Sequence, residues 1–134
     1  MNQEPKILYV IGSAETEALG ETLQRFGAVK QVGSMAEMNQ ALAAEMYDIV
    51  FCDASFADGT WHQALSVIQK KNWDVPVVVV KGKTSIEEST RLLGEVIAAG
   101  AFELLMLPTR EMTALYILEH ALMSREAEAM REVA

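Results

Sequence analysis

The chain has 134 residues, of which 51% are hydrophobic, with a formal net charge of −8 and one cysteine. That is enough for one domain with one buried core, and the acidic balance argues against nucleic acid or an anionic membrane as the main partner. Cys52 alone excludes an internal disulfide and suits a reducing, cytoplasmic compartment. No apolar run approaches the length of a membrane span, and the N-terminal MNQEPK lacks the apolar segment of a secretory signal.

Along the chain, KILYVI (6–11) is a short apolar, partly β-branched run and reads as a buried strand. A helix over 14–26 follows, with Leu19, Leu23 and Phe26 at helical spacing. Ala28–Val32 reads as a second strand. Ser34-Met35-Ala36-Glu37 is a capping box that opens a helix carrying Met38, Leu42 and Met46 on one face. DIVFCD (48–53) is the third strand, with Cys52 a small buried hydrophobe. The ASFADG loop leads to a helix around Trp61–Lys71 with Leu65 and Ile68 inward. Val75–Val80 is the fourth strand, and Thr84 or Ser85 caps the next helix, helped by Glu87 and Glu88. Ala101–Leu107 is the fifth strand. Thr109 begins a long last helix that reaches 125–131.

Five strands alternating with five helices imply a parallel sheet with right-handed crossovers and helices on both faces. The strands are apolar without alternation, as expected for a doubly covered sheet. The expected class is therefore α/β, a doubly wound (βα)5 sheet of flavodoxin-like order 2-1-3-4-5, with ligand sites at the carboxyl ends of the strands. VVVVKGKTS (77–85) has the ending of a phosphate-binding loop, but G-x-x-x-x-G-K-[ST] needs a glycine where Val77 stands. The residues to interrogate are Ile11-Gly12-Ser13, Asp53, Lys81-Gly82 and Leu107-Pro108.

With those strand ends aligned, residues 6–123 resemble the receiver domain of two-component response regulators. DIVFCD resembles the third receiver strand, which ends in the phospho-accepting aspartate. FADG resembles the family's L-P-D-G turn, VPVVVVKG its V-P-x-x-V-V-S-G, and Gly100-Ala101 with Leu107-Pro108 its G-A…K-P. The segment ALYILEHAL is similar to the last helix of receivers fused to signalling modules. The resemblance implies a Mg²⁺-dependent phosphoryl-transfer site: an acid pair after the first strand, the aspartate, a hydroxyl on strand four, and a lysine and a reporter aromatic on strand five.

Carried over residue by residue, Asp53 keeps the phosphoacceptor position, and the rest is replaced. The acid pair falls on Ile11 and Gly12, or Gly12 and Ser13. The hydroxyl falls on Lys81, the reporter aromatic on Leu104 and the lysine on Leu107. Glu15, the nearest acid, is expected to point elsewhere from the first helix. One carboxylate is a poor Mg²⁺ site, so no cofactor and no metal site are expected. Lys81 is expected to form an ion pair with Asp53 or to approach it closely. Leu107 is expected to put an apolar side chain at the pocket, and Leu107-Pro108 to be cis if the family geometry holds.

His62 and His120 lack ligand-spaced partners, Ser13 has no nucleophile pattern, and Trp61 and Trp73 read as packing residues. The last helix has a core stripe, Leu115, Leu118 and Leu122. A second stripe, Met112, Tyr116, Met123 and Met130, is read either as more core or as a dimer or partner surface. The expected layout is a receiver-like domain over 1–123 and a helical extension over 124–134 that could lead to an output domain. The expected function is a degenerate, non-enzymatic receiver acting through protein partners (a histidine kinase, an output domain or another signalling protein). The alternative is a receiver phosphorylated on Asp53, and a distant third is a flavodoxin-like enzyme or ligand-binding domain.

Overall fold

A computed structural model describes residues 4–71 and 74–133, with side chains placed as far as Glu126. Trp73 and the side chain of Met130 lie outside the described residues. The main sheet contains β1 (Lys6–Val10), β2 (Ala28–Val32), β3 (Ile49–Asp53), β6 (Val77–Lys81) and β7 (Glu103–Met106). Between β3 and β6 lie two short strands, β4 (Ser55–Phe56) and β5 (Gly59–Thr60). The helices are α1 (Ala14–Gln24), α2 (Met35–Ala44), α3 (Trp61–Lys70), α4 (Ile86–Ala98) and α5 (Glu111–Val133).

The five main strands pair in the order β2-β1-β3-β6-β7, all parallel. This is the doubly wound order expected from the sequence, with β6 and β7 as its fourth and fifth strands. Alternate residues of each strand serve two cores. Leu8, Val10, Val50, Cys52, Val77 and Val79 pack toward α2, α3 and α4. Ile7, Tyr9, Ile49, Phe51, Val78 and Val80 pack toward α1 and α5. The three central strands β1, β3 and β6 are therefore buried on both sides, which is why their sequences do not alternate.

The caps follow the sequence. Ser34 Oγ accepts from the Glu37 amide at 3.1 Å, and the Glu37 carboxylate accepts in turn from Gly33 N–H at 3.0 Å. Of the two candidates for α4, Ser85 is the cap, accepting from the Glu88 amide at 3.1 Å. Gly100, at φ 99°, ends α4 in the left-handed conformation that glycine tolerates best.

Three local expectations are corrected. The ASFADG segment (54–59), read as loop, carries most of the antiparallel β4–β5 ribbon, in which Ser55 stands opposite Thr60. Met46 does not share the buried face of α2: the helix stops at Ala44, Met46 is 59% exposed, and Tyr47 takes the buried place. The buried stripe of α5 is Ala114, Leu118 and Ala121, with Ile117 and Leu122 packed beside it; of the expected Leu115, Leu118 and Leu122, Leu115 alone falls outside this core.

Candidate functional site

The reversal of strand order falls between β1 and β3, so the loops leaving their carboxyl ends open a crevice there. β3 delivers Asp53 at its last residue, in register with Val80 of β6. β1 delivers Ile11-Gly12-Ser13, and β6 delivers Lys81. Gly12, Ser13, Glu15, Asp53, Lys81 and Lys83 line a polar cavity of about 150 Å³ at this end of the sheet.

Asp53 is 5% exposed, and protein groups hold its carboxylate. Gly12 N–H donates to Oδ2 at 3.0 Å, the Thr16 hydroxyl donates to the same oxygen at 3.0 Å, and Ala54 N–H donates to Oδ1 at 2.9 Å. Burial pushes the Asp53 carboxyl above its ordinary pKa, while the donations from Thr16, Gly12 and Ala54 and the charge of Lys81 oppose the rise. Thr16 Oγ1 has one proton and two acceptors in reach, Asp53 at 3.0 Å and its own turn's Ser13 carbonyl at 2.8 Å. When Asp53 is protonated it can donate to Thr16, which leaves that single proton free for Ser13.

The hydrogen bonds to Asp53 depend on a close approach at Gly12. A Cβ there would lie 1.8 Å from the Ser55 carbonyl oxygen and 2.8 Å from Asp53 Oδ2. The start of the β4–β5 ribbon thus sits on the β1–α1 loop. The ribbon is held in turn by Asp58, whose carboxylate accepts from the Met35 amide at the start of α2 at 2.7 Å. Tyr9 ties α1 from below by donating to the Thr16 carbonyl at 2.8 Å, and burial raises its phenol well above the usual range.

The residues singled out by sequence divide as follows. Gly12, Ser13, Asp53 and Lys81 line one cavity, whereas Ile11 is half-buried beside the core against α1 and α5. Of the two arrangements expected for Lys81, an ion pair with Asp53 or a close approach, the ion pair does not form: among the described residues no Lys or Arg nitrogen stands within 4.0 Å of Asp53. Lys81 nevertheless lies close enough for its charge to favour the ionised carboxylate. Leu107 does not face the Asp53 cavity. It is buried in the core beneath α1 and α5 and borders a separate cleft with Leu19 and Pro108. Leu104 is partly buried on the opposite face of the sheet, against the core of α2, α3 and α4. The Leu107-Pro108 bond is cis.

Glu15, expected to point away, points in: its carboxylate accepts from the Lys83 amide at 2.9 Å. Thr16 went unread although it carried a signal. It begins the stripe 16, 19, 20, 23 that α1 buries, and a polar residue on a buried stripe needs a partner. Elsewhere, Met112, Tyr116 and Met123 are 71%, 61% and 63% exposed, so the second stripe of α5 is not core. His120 lies tilted against Tyr116 with ring centroids 4.3 Å apart, and His62 stacks on Trp61 at 4.0 Å.

The donor set decides what this site accommodates. Asp53 faces N–H and O–H donors on both oxygens, whereas Mg²⁺ requires converging oxygen lone pairs. The neighbouring strand end supplies a backbone N–H at Gly12 where a second carboxylate would have to stand, and the Ser55 carbonyl fills the space beside it. Among the described residues the ends of β1 and β3 thus offer one carboxylate, already engaged by three donors, which is a poor fit for Mg²⁺.

No protein-family model matches the sequence, and no curated protein matches it significantly. Solved structures do match. The signal receiver domain of an HD domain-containing protein from Pseudomonas fluorescens Pf-5 superimposes with a TM-score of 0.81 at 19% identity, covering 98% of this chain and 96% of that one. Full-length FixJ from B. japonicum matches with a TM-score of 0.82 at 18% identity, over 98% of this chain and 64% of that one. The signal receiver domain of a signal transduction histidine kinase from Syntrophus aciditrophicus matches with a TM-score of 0.72 at 16% identity, over 90% and 91%. At these identities the likeness shows the fold: this chain has the flavodoxin-like fold of signal receiver domains.

Proposed function

We propose that this chain is a degenerate receiver, a two-component signalling module that acts by contact with protein partners and not by Mg²⁺-dependent phosphorylation. The observation that supports this reading is the set of three protein donors on the Asp53 carboxylate. The aspartate stands where a receiver accepts a phosphoryl group, but its carboxylate is engaged by Gly12, Thr16 and Ala54. In-line attack on phosphorus needs a free carboxylate oxygen and compensation for the charge arriving on the phosphoryl oxygens. Oδ2, the oxygen facing α1, already accepts two donors, and the position that would supply a cation ligand is the Gly12 backbone. Lys81 and Lys83 bring positive charge to the cavity but no cation ligand.

The function then rests on surfaces. α5 presents Met112, Tyr116 and Met123 to solvent in a stripe that the domain does not use for its own core. Such a stripe suits a histidine kinase, an output domain, another signalling protein or a second copy of the chain as the partner. The protein is not an enzyme in this reading and needs no cofactor. Incubation with Mg²⁺ and a small phosphodonor, followed by intact-mass measurement, tests it. The mass stays unchanged under this proposal. A phosphoryl increment that disappears in Asp53→Asn identifies instead a phosphorylatable receiver that uses Asp53 with support from Lys81.

A further inference from the structure

Two consecutive residues of α1 reach in different directions across the cavity. Thr16 turns down to Asp53, and Glu15 crosses to the loop between β6 and α4. There its Oε1 accepts from the Lys83 amide at 2.9 Å. The same carboxylate lies flat against the Cα of Gly82: a Cβ at that position would stand 2.3 Å from Oε2 and 2.7 Å from the carboxyl carbon. Gly82 is not in the left-handed conformation, so what favours glycine there is the space the carboxylate takes. Lys81 and Lys83 flank it in the same cavity. The loop thus supplies a backbone donor, an open Cα surface and two lysines, and the chain's own Glu15 occupies it.

We infer that Glu15 is a tethered anionic ligand that latches the β6–α4 loop to α1, holding α4 in one position without any added phosphoryl group. The inference rests on the receiver reading only in naming that loop as a switch element. A phosphoryl group on Asp53 would place its oxygens in this cavity, and a carboxylate presents the same kind of acceptor from the opposite wall. The loop opens α4 two residues later through the Ser85 cap. Fixing Gly82-Lys83 therefore fixes the start of a helix whose outer face carries exposed Ile86, Leu93 and Ile97. A partner reading that face would meet a constant state.

Amide hydrogen exchange of the full chain tests the latch, with the Cys52 and Val79 amides in the core as internal references. Glu15→Ala removes the carboxylate. Gly82→Ala keeps the Glu15 carboxylate in the chain but puts a methyl group where it now sits. Both variants are expected to speed exchange at Lys83 by roughly fivefold or more relative to the references, the factor for one lost hydrogen bond to a charged acceptor at the surface. Added acetate is expected to restore protection in Glu15→Ala, where the seat is vacant, and not in Gly82→Ala, where a methyl group fills it. Unchanged relative exchange at Lys83 in either variant, or no acetate rescue of Glu15→Ala, overturns the inference. A receiver that did accept a phosphoryl group would fail the mass measurement and leave this result untouched.

Discussion

Thr16→Val replaces a buried hydroxyl with a methyl group of the same shape. Thr16 is 1% exposed, so water cannot substitute for the lost donor. The hydroxyl donates at 3.0 Å to a carboxylate, and bonds to charged groups contribute about 1.5–3 kcal/mol. Because the same proton also serves the Ser13 carbonyl at 2.8 Å, the lower end applies, about 1.5 kcal/mol. For a chain of this size that is a fall in Tm of roughly 5 °C. The loss depends on pH in a definite direction. Burial already raises the Asp53 pKa and the Thr16 hydroxyl opposes the rise, so the variant's Asp53 pKa lies higher still. The stability difference is fully present where Asp53 is ionised in both folded proteins. It is lost as pH falls through the variant's raised pKa toward the wild-type value, because a protonated Asp53 no longer needs the donor. Urea unfolding of both proteins near pH 7 and again at about pH 4 measures it. A destabilisation that is absent near neutrality, or equal at both pH values, refutes the assignment of Thr16 as the residue that holds Asp53 ionised.

Restoring the receiver pattern one residue at a time is expected to fail. Gly12→Asp introduces a Cβ against the Ser55 carbonyl, where no atom fits. It should cost about 1–3 kcal/mol in urea unfolding and produce no Mg²⁺-dependent gain in stability. Leu107→Lys removes a core leucine from beneath α1 and α5 and does not bring a charge to Asp53, so it should cost about 2–5 kcal/mol with the Asp53 titration unchanged. Serine at Met112, Tyr116 and Met123 should each change stability by no more than about 0.5 kcal/mol, since all three side chains are exposed. The triple variant should weaken self-association or partner capture in sedimentation, and unchanged association would remove that face of α5 from the functional account.

The sheet was legible because its strands are short apolar runs and because alternation of strand and helix leaves few topologies. The caps at Ser34 and Ser85 were legible because a serine oxygen three residues before a glutamate has a local use. The site was less so, because its contacts are made between elements. Nothing near Asp53 in the chain shows that Gly12 and Thr16, 41 and 37 residues away, will donate to it. Lys81 shares the cavity with Asp53 and approaches it without pairing, one of the two arrangements expected, while Gly12, Thr16 and Ala54 donate to the carboxylate. Leu107 was misdirected because the residue before Pro108 was assigned a family orientation, while its apolar side chain gains more by entering the core against Leu19 and Leu118. The β4–β5 ribbon was hidden because two-residue strands carry no periodicity. Met46 continued a helical spacing in sequence after the helix itself had stopped at Ala44.

In the proposed receiver, protein donors, and no cation, satisfy the Asp53 carboxylate. Titrating the full chain with Mg²⁺ while following the backbone amide signals of Gly12 and Ala54 tests it most directly, because both N–H groups donate to that carboxylate. Neither signal is expected to shift saturably at millimolar Mg²⁺. A saturable shift of both, abolished in Asp53→Asn, would show that the cation displaces these donors and would contradict the proposal.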